Sequence, residues 1–198
     1  MDPDEFRLSA IEHQAIFEQR IKPYVFSGAQ PSSRPVAIVF GGQPGAGKSA
    51  AIDLAKLELH DRGGAIEIIG DKLRDFHPLY SRLVGLDDKT AAFYTDRDTG
   101  LWIEKSITEA ARLRVSVVIE GTMRDSGKVA ATMKMLRAAG FEIDARALAV
   151  HHRLSAQGIL MRYEGQKLDR GSARMTTAAA HQAGYDGLPI TLSRIEQM

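Results

Sequence analysis

A glycine-rich motif near the start of the chain restricts its fold more than any other sequence feature. The motif matches the phosphate-binding pattern G-x-x-x-x-G-K-[ST]. A short apolar run, 36–40, precedes it, and a stretch with helical spacing of apolar residues, 48–61, follows it. This context favours a phosphate-binding loop, because backbone N–H groups and a helix N-terminus hold phosphates together. The motif consists of Gly42, Gln43, Pro44, Gly45, Ala46, Gly47, Lys48 and Ser49.

The residues of this motif predict a nucleoside triphosphate with Mg²⁺ as its ligand. In such loops the lysine, here Lys48, reaches the β and γ phosphates, and the hydroxyl of the last residue, here Ser49, coordinates Mg²⁺. The phosphate donor is therefore expected to be ATP or GTP. The alternative is a glycine-rich turn that fits the pattern by chance. The motif does not identify a phosphate acceptor.

The rest of the chain alternates short apolar runs with longer stretches of helical periodicity. The runs are rich in β-branched residues, which favours strands buried on both faces. Gly140, after the last of the three helices, is a candidate for a left-handed residue ending that helix. The pattern predicts an α/β fold of the P-loop NTPase type, a parallel sheet with helices on both faces. The predicted strands are 36–40, 66–69, 115–119 and 145–150, and the helices are 48–61, 101–113 and 126–139.

The chain is expected to form one domain, 1–198, with an N-terminal helix and loop over 1–35 and a kinase core over 36–198. Residues 4–21 suggest a helix, although Leu8, Ile11 and Ala15 do not share one phase with the apolar residues after them. The segment 188–198 also predicts a helix. The sequence predicts no further strand after it.

Composition excludes several classes of function. Twenty-six basic and twenty-five acidic residues leave a net charge of +1, so no basic surplus indicates a nucleic-acid partner. The absence of cysteine excludes disulfides and thiolate metal sites. No run approaches the roughly 20 apolar residues that cross a bilayer, and the acidic N-terminus does not resemble a signal peptide. We therefore expect a cytoplasmic protein without a membrane partner.

Further segments resemble the zeta toxins, P-loop kinases that phosphorylate UDP-N-acetylglucosamine. Together with the phosphate-binding loop, they match the family pattern in order and roughly in spacing over residues 36–182. The combination is much more specific than any single segment. The segments are Ile68-Ile69-Gly70-Asp71 with His77-Pro78, Thr108-Glu109-Ala110, Ile119-Glu120-Gly121-Thr122 with Arg124, and Met161-Arg162-Tyr163-Glu164 with Ala173-Arg174.

The resemblance implies a role for each matching residue. Asp71 corresponds to the base that accepts a proton from the acceptor hydroxyl, and Arg162 and Arg174 correspond to the arginines that contact the phosphates. The implied acceptor is the 3′-hydroxyl of the amino sugar of UDP-N-acetylglucosamine, whose phosphorylation blocks cell-wall synthesis. A cognate antitoxin is the implied protein partner. The implied acceptor-binding residues are Asp71, Glu109, Glu120, Thr122 and Arg124.

Four of these residues also have a structural alternative. Asp71 could cap the following helix, since aspartate favours that position. Glu109 could lie on a solvated helix face, and Arg124 could pair with Asp125. Arg162 could pair with a neighbouring glutamate. Arg170, beside an aspartate, is expected to be a surface residue.

Other functions remain open at this stage. The acceptor could be another hydroxyl, on a nucleotide or an antibiotic, or the chain could bind nucleotide without turnover. A GTPase switch is disfavoured because its Asn-Lys-x-Asp motif is missing from a chain without asparagine. His151 and His152 have no carboxylate or cysteine at ligand spacing, which disfavours a metal site. Trp102 has apolar neighbours at helical spacing and is expected in the core.

Overall fold

The structure, a computed structural model, describes residues 3–198 and begins with a helical arm packed on the core. The Ser9 hydroxyl accepts from the backbone of Glu12, whose side chain returns to the Ser9 backbone, and this capping box starts α1 (Ala10–Ile16). A π-helical turn, Phe17–Ile21, connects α1 to α2 (Lys22–Val25). The π turn inserts an extra residue into the helical repeat, which explains why the apolar positions of 4–21 do not share one phase.

The sheet is parallel and has the strand order β2–β3–β1–β4. Its strands are β1 (Val36–Gly41), β2 (Ile66–Ile69), β3 (Val117–Glu120) and β4 (Glu142–Ala147). All residues of β1 are buried, whereas β4 lies at an edge and alternates between exposed and half-buried residues. The first three strands confirm the predicted ones to within two residues.

The fourth strand lies three residues earlier than predicted. The prediction followed the apolar run 145–150, but β4 pairs with β1 from Glu142 onwards. The charged residues Glu142, Asp144 and Arg146 share one face of β4, where Arg146 pairs with Asp144 and with Glu58 of the helix after the loop. These side chains hid the strand from a search for apolar runs.

Helices cover both faces of the sheet, as predicted. The side chains of Val36, Ile38 and Phe40 pack with Ile52 and Ala55 of the helix after the loop. The intervening side chains of β1 point to the opposite face, which the N-terminal arm and the helices at 91–113, 126–138 and 178–196 cover. The helices after β1 are α3 (Lys48–Glu58), α4 (Gly70–Arg74), α5 (Tyr80–Leu86), α6 (Ala91–Leu113), α7 (Ser126–Ala138), α8 (His152–Arg170) and α9 (Ala178–Glu196).

Two further sequence predictions, for Trp102 and Gly140, are confirmed. Trp102 is fully buried in α6, with its indole N–H donating to the carbonyl of His13 at 3.1 Å. Gly140 follows α7 with φ +83°, a left-handed conformation that glycine adopts without steric cost.

Two long helices near the C-terminal end exceed what the sequence indicated. The sequence pattern predicted no helix between 150 and 188, yet residues His152–Arg170 form α8. The last helix starts at Ala178 instead of Leu188 and continues through Pro189. Over residues 3–198, no helix has the length and apolar character needed to span a bilayer.

Candidate active site

The glycine-rich motif forms a loop between β1 and α3. Gly45 and Gly47 have φ values of +79° and +82°, in the left-handed region that residues with a side chain rarely adopt. Gly47 caps α3, so the N–H groups of the first helical turn point toward the space enclosed by the loop. The loop therefore has the backbone geometry of a phosphate cradle.

Lys48 lies across this cradle. Its side chain is 8% exposed, and its Nζ donates to the carbonyl oxygens of Gly42 at 2.8 Å and Gln43 at 3.3 Å. Glu120 at the end of β3 is 3.5 Å from the same Nζ. Burial lowers the pKa of Lys48, and the nearby Glu120 carboxylate partly offsets that effect.

Asp71 stands at the second position of α4, directly after β2. Ile69 occupies the cap position of that helix, so the capping alternative for Asp71 is wrong. Its carboxylate Oδ1 is 2.7 Å from Nη1 of Arg174, and its side chain is half exposed. Asp71 follows β2 and the phosphate loop follows β1, and only β3 lies between these two strands. Both therefore lie at the carboxyl ends of the strands, where α/β folds bind ligands.

Two arginines approach the same place from the C-terminal part of the chain. Arg162 lies on α8, and its Nη2 donates to the hydroxyl of Thr176 at 2.8 Å rather than to a glutamate. Burial lowers the pKa of Arg162, and the positive charge of Arg174 lowers it further. Two guanidinium groups whose positive charges repel each other favour the binding of an anion between them.

A cavity of about 610 Å³ connects these elements. Such a volume is within the range of small-molecule sites. Most of the residues predicted from the sequence for phosphate or acceptor binding line it, and Arg124 is exposed on its wall. Those residues are Pro44, Lys48, Asp71, Glu120, Thr122, Arg124, Arg162 and Arg174.

Arg74 is a cavity residue that sequence reasoning missed. It is 5% exposed, and its guanidinium donates to the Ala92 carbonyl, the Thr95 hydroxyl and the Asp96 carboxylate on α6. Its position one helical turn after Asp71 was a usable signal, because residues three apart on a helix share a face. Arg74 therefore joins α4, the helix that carries Asp71, to α6, which supplies Phe93 and Asp96 to the cavity wall.

A second cavity, of about 520 Å³, lies on the other side of the Asp71–Arg174 ion pair. Both residues of the pair line both cavities. Arg170, expected from the sequence at the surface, is exposed there, together with Lys72 and Asp75. The ion pair therefore forms part of the wall between the two cavities.

Comparison with known proteins decides the family. The sequence profile of the zeta toxin family matches residues 25–198. The chain belongs to the zeta toxin family.

Among curated zeta toxins, toxin PezT of Streptococcus pneumoniae serotype 4 is 30% identical over 172 residues, which cover 86% of this chain and 67% of PezT. Toxin zeta of Enterococcus hirae is 29% identical over 187 residues, which cover 92% of this chain and 65% of that toxin. The chain thus spans about two thirds of the length of these relatives. The sequence resemblance to zeta toxins is confirmed.

A solved structure from the PezAT chromosomal toxin–antitoxin system of Streptococcus pneumoniae superposes with a TM-score of 0.81 at 25% identity. The match covers all of this chain and 75% of that chain. This zeta toxin therefore shares its fold with a toxin that has been characterised together with its antitoxin system.

Glu109 is one predicted acceptor-binding residue that the structure does not bring to the cavity of this zeta toxin. Its carboxylate accepts from Arg112 at 2.8 Å and lies 2.9 Å from Nζ of Lys22. Hydrogen bonds from Arg112, and then from Lys22, lower the pKa of Glu109 to about 2. The carboxylate is therefore ionised at neutral pH and joins α6 to the N-terminal arm.

The residues around the loop fit a magnesium ion bound with nucleotide. Mg²⁺ prefers oxygen ligands and usually takes only one or two from the protein, the others coming from phosphates and water. The Ser49 residue is exposed beside the cradle, and Asp71 and Glu120 supply carboxylates nearby. No cluster of three or more histidine, aspartate or glutamate residues suited to a metal occurs in the described part of the chain. A site completed by phosphate oxygens is consistent with both observations.

The phosphate loop of this zeta toxin packs against α8 with almost no space to spare. A Cβ added to Gly158 would come within 2.4 Å of the Gly45 carbonyl oxygen. We expect Gly158→Ala to displace the loop and weaken Mg-ATP binding about tenfold or more, because small displacements of a binding group have large effects. Isothermal titration with Mg-ATP measures this change.

Gly165→Ala provides the matched control for that substitution. Gly165 lies on the same helix, and a Cβ there would meet nothing within 4 Å. The control should bind Mg-ATP as wild type does and unfold at a slightly higher temperature, since alanine is favoured over glycine in helices by up to about 1 kcal/mol. Equal ATP affinity in both variants would contradict the close packing of the loop on α8.

Proposed function

We propose that this protein transfers the γ-phosphate of ATP or GTP to the 3′-hydroxyl of the amino sugar of UDP-N-acetylglucosamine. The observation that carries the proposal is one cavity lined by the cradle lysine Lys48, the acid Asp71 and the two arginines Arg162 and Arg174. Membership of the zeta toxin family supports a toxin kinase with a P-loop fold. The identity of the acceptor is the finer part of the proposal.

The donor half of the reaction uses the loop and the cationic side chains. The loop amides and the N-terminus of α3 hold the β and γ phosphates, and Lys48 leaves its carbonyl partners to bind the same oxygens. During transfer, negative charge spreads over the equatorial oxygens of the phosphoryl group, and Arg162 and Arg174 neutralise it. Mg²⁺, held through Ser49 and the phosphates, would supply further neutralisation.

Asp71 acts on the acceptor hydroxyl. Its carboxylate forms an ion pair with Arg174. We infer that the γ-phosphate competes for Arg174, so that nucleotide binding frees the carboxylate at the moment it is needed. The freed carboxylate orients the hydroxyl and takes its proton, while the hydroxyl oxygen forms the new bond to phosphorus and the bond from phosphorus to the bridging oxygen of the nucleoside diphosphate breaks.

The acceptor half of the proposal uses the loop after β3. Glu120, Thr122 and Arg124 line the cavity at this loop, which provides a carboxylate, a hydroxyl and a guanidinium for sugar hydroxyls and a diphosphate. Phe93 also lines the cavity, is 63% exposed and offers a face on which a base can stack. These groups suit a sugar nucleotide better than a small uncharged alcohol.

A cognate antitoxin is the proposed protein partner. The PezAT relative belongs to a toxin–antitoxin system. A kinase that consumes a precursor of the cell wall would harm the cell that makes it, so we propose that an antitoxin covers the nucleotide site until it is removed. The reaction is placed in the cytoplasm, where ATP and sugar nucleotides are found together.

The acceptor is tested by mass spectrometry after mixing the protein with Mg-ATP and UDP-N-acetylglucosamine. We expect a singly phosphorylated sugar nucleotide whose phosphate lies on the sugar, and no product with UDP alone. ATP consumption with other hydroxyl acceptors, but not with this one, would establish a different phosphotransferase. A folded protein that binds ATP and modifies none of the acceptors would be a nucleotide-binding protein without turnover.

A further inference from the structure

One buried side chain of the phosphate loop is held by residues far along the chain. Gln43 is 2% exposed, although it belongs to a loop that must receive a ligand. Its amide nitrogen donates to the Val150 carbonyl at 2.6 Å and to the Ser155 hydroxyl at 3.2 Å. Both hydrogens of the amide are therefore used, and the loop is attached to the segment that follows β4 and to the first turn of α8.

Ser155 passes this attachment on to α9. Its hydroxyl oxygen is 2.8 Å from Nε2 of His181 and 3.0 Å from the carbonyl oxygen of His152. Ser155 is fully buried, and His181 is 4% exposed. If His181 donates from Nε2, the Ser155 hydroxyl accepts from Gln43 and His181 and donates to the His152 carbonyl, so that its hydrogen and both of its lone pairs have partners.

The phosphate loop also packs tightly against the backbones of α8 and α9. A Cβ on Gly184, one turn after His181 on α9, would lie 3.1 Å from Cδ of Pro44 in the loop. On the other side, a Cβ on Gly45 would lie 2.0 Å from the Ser155 carbonyl oxygen. The phosphate loop is thus held between α8 and α9, and the chain of bonds from Gln43 to His181 joins all three.

We propose that His181 is a positioning residue for the nucleotide site. It acts through Ser155 and Gln43 on the orientation of the backbone amides of the phosphate loop, and it does not contact the phosphates itself. The proposal rests on the nucleotide-binding half of the proposed function and is independent of the acceptor. Loss of the His181 bond leaves one acceptor position of the buried Ser155 hydroxyl without its donor, which costs free energy and lets the loop shift away from its binding geometry.

The test measures the Kd for Mg-ATP, with Mg-GTP titrated in parallel, in variants of the full chain. His181→Leu fills the space but cannot donate, and we expect its Kd to rise about tenfold. His181→Gln places an amide nitrogen where Nε2 stood, and we expect it to restore most of the affinity. Ser155→Ala is a smaller change in the same network and should weaken binding in the same direction as His181→Leu.

Thr191→Val is the matched control on α9. The Thr191 hydroxyl is fully buried and donates to the Met123 carbonyl at 2.5 Å, and not to a residue of the phosphate loop. This variant should lose thermal stability, as His181→Leu does, while keeping the Kd for Mg-ATP of wild type. Circular dichroism at the titration temperature establishes that each variant is folded.

The proposal is overturned if folded His181→Leu and Ser155→Ala bind Mg-ATP as wild type does. It is also overturned if Thr191→Val weakens binding as much as they do, or if His181→Gln is no better than His181→Leu, since a purely structural role for this histidine predicts those results. If wild type binds Mg-ATP but phosphorylates no sugar nucleotide, the acceptor assignment fails and the role of His181 stands.

Discussion

Replacing Lys48 with alanine is expected to reduce the rate of phosphoryl transfer by a factor of about 10³ or more. The lysine is buried at the centre of the cradle and is the cation nearest to the loop carbonyls. Its loss removes the charge that holds the β and γ phosphates and leaves Glu120 to repel them. The rate of product formation should fall, and the Kd for Mg-ATP should rise.

Lys56→Ala is the control for this substitution. Lys56 belongs to the same helix, but it pairs with Glu67 on β2. We expect this variant to retain both nucleotide binding and transfer. Should Lys48→Ala keep the wild-type rate, the loop would not be the donor site.

Replacing Asp71 with asparagine is expected to separate binding from chemistry. The amide keeps the shape of the side chain but cannot accept a proton, so transfer should slow by about 10²–10⁴-fold. Nucleotide affinity should be unchanged or tighter, because Arg174 loses its anionic partner at 2.7 Å and becomes available to phosphate. Single-turnover transfer and a separate Mg-ATP titration measure the two effects.

Asp75→Asn is the matched control, one turn further along the same chain segment. Asp75 lines the second cavity and not the one that contains Lys48. It should retain transfer. An equal loss of binding and transfer in Asp71→Asn would show that Asp71 supports the structure and is not the base.

The sequence predicted those parts of the molecule that depend on local patterns. The phosphate loop could be recognised because its glycines and its lysine are required at fixed positions next to a strand and a helix. The strands β1 and β3 lie in the middle of the sheet, and β2 carries three isoleucines, so these apolar runs are easy to locate. The strand ends then place Asp71 and Glu120 at the same edge of the sheet as the loop.

Other parts depend on tertiary packing that a local pattern does not show. The helix α8 carries Gly158 and Gly165, which are poor helix formers, and Gly158 is there because the loop passes so close to it. Glu109 matched a family segment, yet its partners Lys22 and Arg112 lie outside the cavity. Arg74 and the network through His181 could be identified only once distant segments were seen side by side.

The central claim is that Asp71 faces a phosphate held by Lys48 and the loop amides. The most direct test is a crystal structure with Mg²⁺, a non-hydrolysable ATP analogue and UDP-N-acetylglucosamine. The account predicts that Arg174 turns to the γ-phosphate and that the Asp71 carboxylate lies within hydrogen-bonding distance of a sugar hydroxyl aligned with the transferred phosphorus. A carboxylate that still points away from the phosphates, bonded to Arg174 with the sugar nucleotide in place, would contradict it.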